Sequence, residues 1–105
     1  MPPFTRAQAD ALLPKVRPLL EELQRRVAAY RRRPSDPIEH EIEAILRELS
    51  ELGVEVKDPD RGLVDFRARL RGREVYLCWQ LGEPERIAFW HDLDTGFAGR
   101  KIIED

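Results

Sequence analysis

A chain of 105 residues has room for one domain and a modest core. Its 18 basic residues nearly balance 20 acidic ones, and the net charge of −2 argues against wholesale binding to nucleic acid or to an anionic membrane. One cysteine cannot form an internal disulfide, so a disulfide-built secreted framework is excluded and a reducing cytoplasm is the expected setting.

The opening MPPFTRAQAD lacks the apolar centre of a signal peptide. No apolar run nears the roughly 18–20 residues that a membrane span needs. Thr5 followed three residues later by Gln8 reads as a capping box, and the preceding Phe4 can serve as its staple. Leu13, Val16, Leu20, Leu23, Val27 and Tyr30 then recur at helical spacing. Pro14 and Pro18 interrupt the seam, each removing a donor and crowding the carbonyl one turn back. Either one kinked helix over about 6–33 results, or a short turn followed by a helix from Pro14. Arg31-Arg32-Arg33 closes the segment, where cations complement the helix dipole.

After the break RRPSDP, Asp36 is expected to cap a second helix with Pro37 in its first position. Ile38, Ile42, Ile45, Leu49 and Leu52 form its seam, and Gly53 stops it. The two seams predict an antiparallel helical hairpin over about 5–52. At 1.5 Å per residue the first helix spans about 42 Å and the second about 24 Å. The excess length of the first must cover a sheet or another subunit.

From Val54 the apolar period becomes two. VEVK, LVDFRARL, REVYLCWQL and IAFWHDL read as an antiparallel meander of three to four strands over about 54–93, packed on the hairpin, with 94–105 as a tail. The fold class is therefore α+β in a single domain, 1–105. With Arg71-Gly72 as a two-residue turn, Phe66 faces Leu77, Val64 faces Trp79 and Asp65 faces Cys78. With GEPER as a five-residue loop, Trp79 faces Phe89, Leu77 faces His91 and Cys78 faces Trp90. One sheet face is then core. The other carries Asp65, Arg67, Tyr76, Cys78, Gln80, Trp90 and Asp92. Tyr76 and Trp90 are more aromatic area than solvent normally sees, so the tail, a symmetry mate or a ligand should cover them.

FT and ALLP near the N-terminus, then GVEVKD, GLVDF, VYLCW, LGE, WH and GFAGR, are where the sequence resembles domain-of-unknown-function family 2203, small uncharacterised prokaryotic proteins. The resemblance spans nearly the whole chain. It implies a helical hairpin with a small sheet, and no activity. The Arg-rich, Asn-free composition with frequent Pro fits a heat-adapted bacterium, although a GC-rich genome gives the same bias.

Three functional expectations follow. The first is a non-enzymatic binding or assembly module acting as a homodimer through the long helix and the second sheet face, with no cofactor. The second is a small-anion site on that face built from Arg67, Tyr76, Cys78, Trp90 and Arg100, whose guanidinium groups fork onto acids while the rings stack. Arg67, Arg69 and Arg71 beside Tyr76 and Trp90 give nucleic acid its one place to dock, against the balanced charge. The third is a metal-assisted hydrolase using Glu83, His91 and Asp92. No CxxC or HxxxH spacing supports a metal, and this register places Cys78 and His91 on opposite faces, beyond reach of one ion or of a thiol–imidazole pair. No complete set of catalytic roles assembles, which disfavours an enzyme.

Overall fold

The computed structural model describes residues 3–104. Helix α1 (Arg6–Arg32) opens on the expected capping box: the Gln8 amide donates to Thr5 Oγ1 at 3.1 Å and the Thr5 amide to Gln8 Oε1 at 2.9 Å. It runs unbroken through Pro14 and Pro18. Both prolines lie on its exposed side, where water can serve the carbonyls they leave without a donor. Helix α2 (Asp36–Glu51) is capped one residue earlier than expected, by Ser35, whose Oγ accepts from the Ile38 amide. Gly53, at φ 88°, turns the chain out of α2 into the sheet.

Strands β1 (Val54–Asp58), β2 (Leu63–Leu70), β3 (Arg73–Gln80), β4 (Phe89–His91) and β5 (Lys101–Ile102) form one antiparallel sheet in the order β1-β2-β3-β4-β5. The fifth strand comes from the segment expected to be a tail. The β2–β3 register is the expected one, Phe66 to Leu77, Val64 to Trp79 and Asp65 to Cys78. Its turn holds both Arg71 and Gly72 at positive φ, the geometry that matches the twist of a two-residue hairpin.

The core lies between α1 and one sheet face. Ala9, Leu13, Val16, Leu20 and Leu23 of α1 join Leu49, Val54, Val64, Phe66, Leu77, Trp79 and Ile87 in one buried cluster. The excess length of α1 therefore covers the sheet of its own chain. Phe4 lies partly buried against that cluster. It bridges to Ala68 beside β2 and meets the Phe66 ring edge-on at 5.4 Å. Beyond the dipole argument, Arg31 forks onto Asp60 in the β1–β2 turn at 2.6 and 2.9 Å, fastening the far end of the hairpin to the sheet.

Candidate functional site

The β3–β4 register differs from the expected one by a single residue. Cys78 pairs with Phe89, Leu77 with Trp90 and Tyr76 with His91. The connection is longer than GEPER. It leaves β3 after Gln80 and rejoins at Phe89, pinned by Trp79 Nε1 donating to the Pro84 carbonyl and by Asp10 accepting from the Ile87 amide. A shift of one exchanges the two faces of a strand. His91 therefore joins Cys78 on the face away from the helices, and Trp90 moves to the helix side.

That exchange assembles a cluster the sequence reading had ruled out. Asp65 on β2, Cys78 on β3 and His91 on β4 are buried together, at 2%, 0% and 2% exposure. Their ligand-type atoms lie within 4.8 Å of one another. His91 Nε2 sits 3.0 Å from each Asp65 oxygen, and its Nδ1 is 2.8 Å from the Asp92 carbonyl. A carbonyl only accepts, so Nδ1 carries a proton. Nε2 then shares a second proton with the Asp65 carboxylate, and the pair is neutral as a unit. Burial pushes the Asp65 carboxyl up, with His91 pulling it back. Burial, with Asp65 beside it, pushes the Cys78 thiol up to about 12. A thiol so strongly held in its protonated form is no nucleophile.

Side chains close this face. The Tyr76 ring lies 5.4 Å from the His91 ring and donates its hydroxyl to Glu55 at 3.0 Å. Lys57 and Arg67 lie over the same ring. On the other flank the 92–100 segment folds across, carrying a short 3-10 turn at Phe97–Gly99. Arg100, with 11% of its side chain exposed, stacks 3.7 Å from the Phe89 ring centre and pairs with Glu83 at 2.5 Å. Arg61 stacks on Phe97. The cover over Tyr76 is thus the chain's own charged side chains, and over Cys78 it is the GFAGR segment.

The five residues expected to hold an anion do not converge on one site, although Arg67 lies over the Tyr76 ring and Arg100 lines the same groove as Trp90. Arg67 pairs with Glu74, Tyr76 and Cys78 are buried, Arg100 serves Glu83, and Trp90 faces the other way. Glu83, His91 and Asp92 are likewise separated. Asp92 turns to Arg73 and Lys101, away from the ring of its neighbour.

Trp90 instead floors a groove beside β4 and β5. The groove, about 690 Å³, has Leu70, Val75, Ile102 and Ile103 beside the indole, with the cations Arg71, Arg73, Arg100 and Lys101 and one acid, Glu104, around it. The Arg73 guanidinium lies 5.5 Å and the Lys101 ammonium 4.9 Å from the indole centre. Arg73 and Lys101 were not singled out in the sequence, because the corrected β3–β4 register places the first beside Trp90 and the pairing of β5 with β4 places the second there.

The family model described as "Uncharacterized conserved protein (DUF2203)" matches residues 28–103, more than two thirds of the chain. The chain belongs to this family. The matched region of this DUF2203 protein contains both the Asp65–Cys78–His91 cluster and the Trp90 groove. No curated protein matches the chain, and no solved structure does.

Proposed function

We propose that this DUF2203 protein is a non-enzymatic binding module whose ligand is a small organic anion held in the Trp90 groove. The groove carries the reading: an accessible concavity with an indole floor and four cations against a single acid in its lining. A flat apolar body rests on Trp90, and a carboxylate or phosphate takes the donors of Arg73 and Lys101 in place of Asp92. The chemically reactive side chains of the second face are closed off and internally paired, which supports binding over catalysis. The lone buried cysteine suits the reducing cytoplasm of a prokaryote. Among the described residues no helix is long and apolar enough to cross a membrane.

Intrinsic fluorescence tests the site. Trp79 is fully buried, so an added anion should act through Trp90. Adenosine monophosphate should give a saturable change that inorganic phosphate gives only weakly, and Arg73→Gln or Trp90→Phe should abolish it. No change up to millimolar ligand, or the same change in Trp90→Phe, overturns the proposal.

Self-association stands on a different footing from the one the sequence suggested, since the seam of α1 is satisfied within one chain. The remaining candidate contact is the free edge of β5, where Ile102 is 68% exposed. A dimer built there should become monomeric in Ile102→Lys by light scattering. A monomeric parent, or a dimer that survives the substitution, removes this reading.

A further inference from the structure

We propose that Asp65, Cys78 and His91 form a binding site for one divalent transition-metal ion, zinc being the best match to the three donors. The site lies on the sheet face opposite the Trp90 groove and does not depend on it.

The donor set is a carboxylate oxygen, a thiol sulfur and an imidazole nitrogen, the three ligand types that zinc takes. They come from three neighbouring strands, so the sheet fixes their backbones. Zinc bonds of about 2.0–2.3 Å in a tetrahedron put ligand atoms about 3.3–3.7 Å apart. The three atoms already lie within 4.8 Å of one another, with His91 Nε2 3.0 Å from Asp65. The widest separation has to close by about 1 Å to reach that geometry, a distance on the scale of a side-chain adjustment. Three protein ligands leave one position of the tetrahedron for water.

The orientation of His91 supports the same conclusion. Its Nδ1–H is fixed on the Asp92 carbonyl at 2.8 Å, which presents Nε2 to the other two donors. Metal-bound histidines are commonly held this way by a carbonyl or carboxylate on the far nitrogen. Two nearby cations oppose an incoming dication, yet each already has its own carboxylate. Lys57, 4.0 Å from Asp65, pairs with Glu55 at 3.1 Å, and Arg100 pairs with Glu83.

The charges balance on exchange. Without metal the cluster holds the Cys78 thiol proton and the one proton shared by His91 and Asp65, and its net charge is zero. A divalent ion displaces both protons to solvent, leaving a thiolate, a carboxylate and a neutral imidazole around it. The net charge is again zero, so the buried site takes the ion without creating an uncompensated charge. The same exchange turns a closed polar cluster into a cross-link between β2, β3 and β4.

The test uses tag-free, reduced protein and zinc chloride. Native mass spectrometry should show one zinc per chain. Cobalt in its place should give the near-ultraviolet charge-transfer absorption of a cobalt–thiolate bond. Cys78→Ser and His91→Asn should each weaken zinc binding by more than the roughly 10–100-fold typical of an outer-shell change. His40→Gln, on exposed α2, should leave it unchanged. At zinc about a hundredfold over its Kd, melting should rise by on the order of 10 °C. The cobalt spectrum of the unsubstituted protein decides the matter even where a variant fails to fold. No stoichiometric zinc, cobalt bound without a thiolate band, or zinc affinity preserved in a folded Cys78→Ser each overturns the proposal.

Discussion

Replacing Asp65 with alanine removes the acceptor from the Nε2–H of a histidine that is 2% exposed. Breaking one side of a buried pair typically costs about 3–5 kcal/mol. Here the lower end applies. His91 keeps its Nδ1–H bond to Asp92, can shed the shared proton, and can then take the Cys78 thiol as donor to Nε2. We expect a loss of about 3 kcal/mol, which at about 4–8 °C per kcal/mol lowers the melting temperature by about 12–24 °C. Urea unfolding followed by circular dichroism, in metal-free buffer, measures it directly. The midpoint should fall with the slope unchanged, because the surface exposed on unfolding is the same. His91→Ala should cost a similar amount, by stranding Asp65. The double substitution should cost clearly less than the sum, with a coupling of about 1–3 kcal/mol. Additivity within about 0.5 kcal/mol, or a single-site loss below about 1 kcal/mol, refutes the view that the two side chains hold each other in place.

Other outcomes follow from the same structure. Cys78, buried and with its thiol pKa at about 12, should resist alkylation at pH 8 until denaturant unfolds the chain; labelling in native buffer at the rate of a free thiol contradicts this. Leu20→Ala should cost about 2–5 kcal/mol in calorimetry, as a fully buried leucine, and should leave the subunit mass in solution unchanged. Gly53→Ala, at φ 88°, should destabilise by about 1 kcal/mol or more, since a Cβ is strained there. Arg31→Ala breaks an exposed pair with Asp60 and should leave the urea midpoint nearly unchanged, because solvent screens such a pair.

The hairpin, the capping box and the β2–β3 register were legible because each is specified locally. In LVDFRARL and REVYLCWQ, apolar and polar positions alternate around a two-residue turn, and only one register puts Phe66, Leu77, Val64 and Trp79 on one side. The β3–β4 register was not legible. Phe89 and Trp90 are adjacent and both aromatic, so alternation cannot choose which faces the core. The choice is made by the 81–88 connection, through the Pro84 carbonyl and the Asp10 carboxylate, and neither contact has a sequence signature. The misplacements of Trp90, Cys78 and His91 descend from that one residue: Trp90 on the wrong face, and Cys78 and His91 kept apart. Asp65 did carry a signal. It is a carboxylate inside an otherwise apolar strand half, and it was correctly placed across from Cys78; only the imidazole that completes the cluster was missing.

The bridge made by Phe4 has a bearing on how this sheet avoids its own kind. β1 pairs with only the first half of β2, from Leu63 to Phe66. Along the second half Phe4 stands in, donating its amide to the Arg67 carbonyl at 2.8 Å and accepting from the Arg69 amide at 3.2 Å. Stripped of that residue, the 67–70 stretch becomes an open ladder of backbone donors and acceptors, a template for a strand of another molecule. Arg67 and Arg69, both exposed, stand as gatekeepers on either side of the same gap. A chain shortened past Phe4 should therefore show its defect first as a tendency to aggregate on refolding, ahead of any loss at the Trp90 groove.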